Sequence, residues 1–182
     1  MLAAILFAAS VAFEYWSLTL HAPQYPDGLE VTIFTHEVVG DVSEVDGLNH
    51  YIGMMPLAEA AEFERKIAGP ATVIIILAAF VASVVRPRWS ALLAIGVVLF
   101  PIVFAIDLYF WLYRAGHDLD PTAALRSSIK PFTPAILGEG IVGQFSTTAH
   151  FGTGFWIAVA AAVLALVGIV GRMREGRSRA AR

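Results

Sequence analysis

Long apolar runs alternate with polar segments along this chain. The apolar runs cover residues 1–20, 70–85, 89–113 and 151–171. Polar segments fill residues 21–69 and 114–150, and a tail covers residues 172–182. Because a helix that crosses a bilayer needs about 20 mostly apolar residues, the four runs predict four transmembrane helices. The two long polar segments would then form a cap on one side of the membrane.

Residues 29–39 carry a different pattern inside the first polar segment. Apolar and polar side chains alternate there, and β-branched residues are common. Such alternation is typical of a strand, with a hairpin turn expected near Gly40 and Asp41. The predicted fold class is therefore an all-α membrane protein with four transmembrane helices and an outward-facing cap of two loops that contains a short β element. We expect the two loops to pack on each other.

The placement of charge predicts the orientation of the spans. The chain is 58% hydrophobic and only 15% charged, against about a quarter charged in soluble domains. Its arginines concentrate in the turn after the second run and in the tail: Arg86, Arg88, Arg172, Arg174, Arg177, Arg179 and Arg182. The positive-inside rule places these segments and both termini in the cytoplasm, and both loops in the periplasm of a bacterial inner membrane. Membrane lipid is the expected surrounding, and no basic patch suggests nucleic acid.

Residues 47–55, Gly-Leu-Asn-His-Tyr-Ile-Gly-Met-Met, hold the most suggestive chemistry. On a helix, His50 and Met54 would share a face because they are four positions apart. Imidazole and thioether together suit copper, and the chain has no cysteine to offer a thiolate. All five histidines lie in the predicted periplasmic loops. The expected metal ligands are His50, Met54, Met55, His36, His117 and His150. The alternative is that His50 and Met54 only pack the loop onto the membrane domain.

Other reactive groups are sparse. Glu14 and Asp107 are ionisable residues inside apolar runs, each near the outer end of its span. We expect them to be hydrated at the interface, to pair with Arg114 or a loop histidine, or to serve a metal or proton path. No serine-hydrolase or zinc-protease motif occurs, and no predicted span has a central histidine for a haem. These observations favour a protein that is not an enzyme.

Three stretches resemble a known family. They are Tyr-Pro-Asp-Gly-Leu at residues 25–29, the run from Gly40 to Met54, and Lys-Pro-Phe-Thr-Pro at residues 130–134. The chain resembles small bacterial integral membrane proteins whose genes lie among copper and nitrous-oxide-reductase maturation genes, near the NosL copper chaperone. The resemblance implies a role beside copper delivery, with His50 and Met54 as motif positions. Unlike NosL itself, the chain has predicted spans and no lipoprotein cysteine.

Two functions are therefore expected. The first is a copper-handling or accessory membrane protein that binds metal on its periplasmic face and passes it to a cuproenzyme, with a copper chaperone as a further partner. The second is a structural accessory subunit of a larger membrane redox complex, in which the loops are a docking surface.

Overall fold

The structure is a computed structural model that describes residues 1–85, 87–125, 129–142 and 145–180. Its helices are α1 (Leu2–Ser10), α2 (Val42–Ile52), α3 (Glu62–Ala82), α4 (Pro87–His117) and α5 (Thr153–Ala180). Its strands are β1 (Trp16–Ala22), β2 (Tyr25–Ile33), β3 (Val38–Gly40), β4 (Gly138–Val142) and β5 (Phe145–Phe151). The described residues thus form one sheet at one end of a group of helices.

The sheet is antiparallel throughout, in the order β3-β2-β1-β5-β4. Side chains alternate between its two faces because successive residues of a strand point in opposite directions. Leu18 pairs with Val31 on one side and Ala149 on the other, so these three residues share the apolar face. Ser17 and His150 pair on the opposite, more polar face. The apolar face packs against α2 and the last turns of α4.

Within the part of the chain that the structure describes, three helices are long and apolar enough to cross a membrane: Glu62–Ala82, Trp89–His117 and Thr153–Arg174. The turn between α3 and α4 lies at the end remote from the sheet. There the Arg172 guanidinium of α5 donates hydrogen bonds to the carbonyls of Ala82 and Ser83, at 2.8 and 2.6 Å. These charge-assisted bonds satisfy carbonyl groups that the end of α3 leaves without helical partners.

The predicted all-α, four-span fold class is wrong, because the chain contains a five-stranded sheet and three candidate spans within its described residues. The error lies in residues 1–20, which were expected to form one helix. Helix α1 has nine residues and a length of about 14 Å, whereas a bilayer core is about 30 Å thick. The last five residues of the run and the two that follow read Trp-Ser-Leu-Thr-Leu-His-Ala and form β1. Its period of two is a strand signal that the high average hydropathy concealed.

The turn between α1 and β1 supports the start of α5. The N–H groups of Thr153 and Gly154 donate to the Glu14 side chain at 3.1 Å and to the Glu14 carbonyl at 2.8 Å. The first N–H groups of a helix have no partner inside it and favour a nearby negative charge. The hydrogen bond from the Thr153 N–H lowers the pKa of Glu14 below its ordinary value. Glu14 therefore caps a helix that begins 139 residues later.

The two polar segments pack on each other, as expected. The Asp120 N–H donates to the Gly53 carbonyl at 2.8 Å, and the Leu125 N–H donates to the Tyr51 carbonyl at 2.9 Å. The strand predicted over residues 29–39 is confirmed only for residues 29–33, which belong to β2. Residues 34–37 form the turn that was expected near Gly40 and Asp41, and β3 begins at Val38. The Asp41 carboxylate instead accepts a hydrogen bond from the Glu30 N–H at 2.8 Å, immediately before α2 begins.

Candidate functional site

A cavity of about 180 Å³ lies between the apolar face of the sheet, α2, the start of α3 and the last turns of α4. Helix α4 contributes a single face to it, because the lining residues recur at intervals of three and four: Phe104, Asp107, Leu108, Trp111, Leu112 and Ala115. The sheet contributes Trp16, Leu20 and Val31, all of which are buried. The cavity is therefore enclosed by a sheet on one side and a helix on the other.

The mouth of the cavity is formed by its partly exposed lining residues Phe34, Thr35, Glu64 and Arg65. The first two belong to the turn after β2, and the other two to the first turn of α3. The continuous apolar part of α3 begins just beyond them, at Ile67. The mouth thus lies close to where α3 becomes apolar enough to enter a membrane.

Three buried polar atoms in the cavity lining lack a hydrogen-bond partner among the described residues. They are Arg65 Nε, Trp111 Nε1 and Thr147 Oγ1. Thr147 is only 3% exposed. A buried donor without an acceptor destabilises the folded protein by about 1–3 kcal/mol. Three such donors in the lining of one cavity therefore need a physical explanation. Each is a donor on a side chain that lines the cavity: a guanidinium, an indole and a hydroxyl group.

Two carboxylates complete the polar lining. Asp107 and Glu64 both face the cavity and are close enough for their charges to repel each other. Asp107 also interacts with the Trp111 indole one helical turn later, although the indole N–H does not reach hydrogen-bond geometry. Arg65 is the cation of this group, and its Nη2 donates to the Ala58 carbonyl. When all three groups are ionised, the cavity lining carries one positive and two negative charges.

The structure separates His50 from Met54. Helix α2 ends at Ile52, and Gly53 follows with φ 83°, a left-handed conformation that glycine adopts without strain. Met54 therefore lies beyond the helix and does not share a helical face with His50. Met54 and Met55 line the cavity, whereas His50 is exposed on α2.

The other predicted ligands lie in three further places. His150 is on the polar face of the sheet, where its ring nitrogen is 3.1 Å from the Ser17 hydroxyl. His36 lies in the turn after β2, 3.7 Å from the Glu37 carboxylate. His117 stacks on Tyr113 with ring centroids 3.9 Å apart.

The prediction of copper as the cofactor is wrong. In the part of the chain that the structure describes, no group of three or more His, Asp or Glu side chains is placed to hold a metal ion. The chain also has no cysteine. The physical reason is that the sheet separates the predicted ligands. Met54 and Met55 line the cavity on its apolar face, and His150 lies on the opposite face. A shared location in loops did not bring the imidazoles together.

Sequence reasoning missed most of the cavity. The apolar runs place Trp16 and Trp111 in predicted transmembrane helices, and the second polar segment places Thr147 in a loop. The alternation Phe-Ser-Thr-Thr-Ala-His-Phe at residues 145–151 is a strand signal that placed Thr147 on the same face as Phe145 and Ala149. Asp107 was noticed as a charge in an apolar run, and it faces the cavity.

Comparisons with known proteins add no assignment. No protein-family model matches the chain, and no curated protein is significantly similar to it. The chemistry of the cavity is therefore the basis for a functional proposal.

Proposed function

We propose that this chain is a membrane-anchored binding protein whose cavity holds a small, lipid-soluble molecule with hydrogen-bond acceptor oxygens. The observation that carries the proposal is that Arg65, Trp111 and Thr147 all line one cavity, and that their Nε, Nε1 and Oγ1 atoms are buried and unpaired among the described residues. Ligand sites are typically apolar concavities with a few convergent polar groups. An acceptor in the cavity would remove the cost of leaving these donors unpaired.

Filling the cavity should abolish binding. Ala115 is a buried lining residue of α4, and Ala115→Phe would place a ring in the space. Ala160→Phe is the matched control, because Ala160 is exposed on α5 and does not line the cavity. Protein purified in mild detergent would be extracted with organic solvent and analysed by mass spectrometry. We expect a discrete molecule approaching one per chain with wild type and Ala160→Phe, and its loss with Ala115→Phe.

Equal amounts of bulk lipid from all three proteins, with no discrete molecule, would contradict the proposal.

The same purification tests the second candidate function, a structural accessory subunit of a membrane redox complex. That candidate is supported by an apolar groove between α4 and α5, of about 670 Å³, which offers space for a partner's helix. Retention of redox-cofactor-bearing subunits, seen by absorbance in all three preparations, would favour it.

We also propose that the chain lies in a bacterial inner membrane with the sheet in the periplasm. Three spans are compatible with this arrangement, since the sheet adjoins the start of α3, the end of α4 and the start of α5. The arginines at the opposite end, including Arg172 and Arg174, support a cytoplasmic location for the tail.

Single cysteines test the orientation, because the natural chain contains none. Ser43→Cys and Glu139→Cys are at exposed positions on the sheet side, and Arg174→Cys is exposed near the end of α5. In intact cells, a membrane-impermeant thiol reagent should label the first two and spare the third until the cells are lysed. Labelling of Arg174→Cys alone would invert the proposed orientation.

A further inference from the structure

We infer that the occupant of the cavity is a quinone, a neutral ring with carbonyl oxygens on opposite sides. This inference rests on the proposed function and specifies its ligand class. Three features carry it: the size of the cavity, the position of its unpaired donors, and the charge of its lining.

The size of the cavity suits a single ring. A cavity of about 150 Å³ in another protein holds benzene, and this one encloses about 180 Å³. A six-membered ring with small substituents is therefore of the right size for the space. Aromatic side chains from both walls, Trp16 of β1 and Trp111 of α4, offer flat surfaces against which a ring can pack.

The unpaired donors lie on different walls. Thr147 belongs to β5 in the sheet, Trp111 to α4, which packs against that sheet, and Arg65 to the start of α3. A carboxylate or ester presents its acceptor oxygens at one end and satisfies donors on one wall. A quinone presents carbonyl oxygens at opposite ends of a rigid ring, so one molecule can accept from the sheet and from the helix at once.

The charge of the lining argues against an anionic ligand. Glu64 and Asp107 contribute two carboxylates against the single guanidinium of Arg65. When ionised, these groups repel a fatty-acid or phosphate head group, whereas a neutral carbonyl compound escapes that repulsion. The mouth lies beside the first residues of α3, so an alkyl tail on the ring can leave the cavity toward the apolar surface of the helices.

The test uses the full chain in lipid nanodiscs and three probes: 2-decyl-1,4-benzoquinone, decylbenzene and decanoate. Bound probe per chain would be measured after rapid gel filtration, with the Ala115→Phe protein as the background for partition into lipid. We expect saturable binding of the quinone. Trp111→Phe and Thr147→Val should each weaken it about two- to tenfold, the factor that one neutral hydrogen bond contributes.

Matched substitutions separate binding from folding. Trp156→Phe and Thr148→Val make the same chemical changes at exposed positions outside the cavity, and neither should change quinone affinity. Thr147→Val removes a buried unpaired hydroxyl, so without ligand its melting temperature should be equal to or higher than that of wild type. Lower quinone affinity in a protein that is no less stable is a result that a purely structural role for Thr147 does not produce.

The remaining outcomes are distinct. Equal binding of decylbenzene and the quinone, unaffected by Trp111→Phe and Thr147→Val, would overturn the quinone inference and leave an apolar binding site. Preference for decanoate, lost in Arg65→Gln, would overturn the inference in favour of an anionic ligand and leave the binding function intact. Failure of all three probes to exceed the Ala115→Phe background would overturn the quinone inference, and recovery of a discrete molecule from the purified protein would still decide the proposed function independently.

Discussion

Phe7→Ala should destabilise the protein by about 3–5 kcal/mol, the usual cost of removing a fully buried aromatic ring. Phe7 is 0% exposed and forms part of the largest apolar cluster. Its ring meets the Phe100 ring edge to face at 4.9 Å, which joins α1 to the middle of α4. The loss would leave a cavity between elements that the backbone cannot easily bring closer. Reversible unfolding in mixed micelles with increasing SDS would measure the change in unfolding free energy.

Phe63→Ala is the control for this prediction. Phe63 lies in the first turn of α3 and is 69% exposed, so the same truncation should cost well below 1 kcal/mol. Equal losses from the two variants would show that α1 does not pack in the bundle as described.

Gly154→Ala should cost about 1–3 kcal/mol, through overpacking at the start of α5. A Cβ atom there would lie 2.6 Å from the Phe13 carbonyl oxygen and 2.7 Å from that of Ser10. Both neighbours are backbone atoms, so no side-chain rotation relieves the contact. The turn that supplies the Glu14 cap would have to move away from α5. The same unfolding titration measures this loss.

Gly168→Ala is a control on the same helix with the opposite expected sign. A Cβ atom at Gly168 meets nothing within 4 Å among the described residues, and alanine favours a helix over glycine by up to about 1 kcal/mol. Stabilisation by both substitutions would mean that the junction between α1, β1 and α5 is looser than described.

The sequence predicted some of the residues that line the cavity but not how they are arranged. Met54 and Met55, the two predicted thioether ligands, line the cavity together with Trp111 and Thr147, and no histidine is among its lining residues. The prediction that His50 and Met54 bind one metal ion depends on their four-residue spacing along a helix. Gly53 ends the helix between them in a left-handed conformation, and the Asp120 backbone approaches it so closely that a Cβ atom would have no space. That approach involves residues more than 60 positions apart and carries no local signal.

The sequence by itself determined the apolar helices α3, α4 and α5, because apolar runs of this length are typical of membrane-spanning helices and are rare in soluble domains. It also determined the strand β2 and the contact between the two polar segments. Only the tertiary structure decided that residues 16–22 form the centre of a sheet and not the end of a span. A strand becomes stable when neighbours satisfy its backbone groups, and the neighbour β5 lies about 130 residues away. The cavity has the same origin, since its walls come from parts of the chain that meet only when that sheet is assembled.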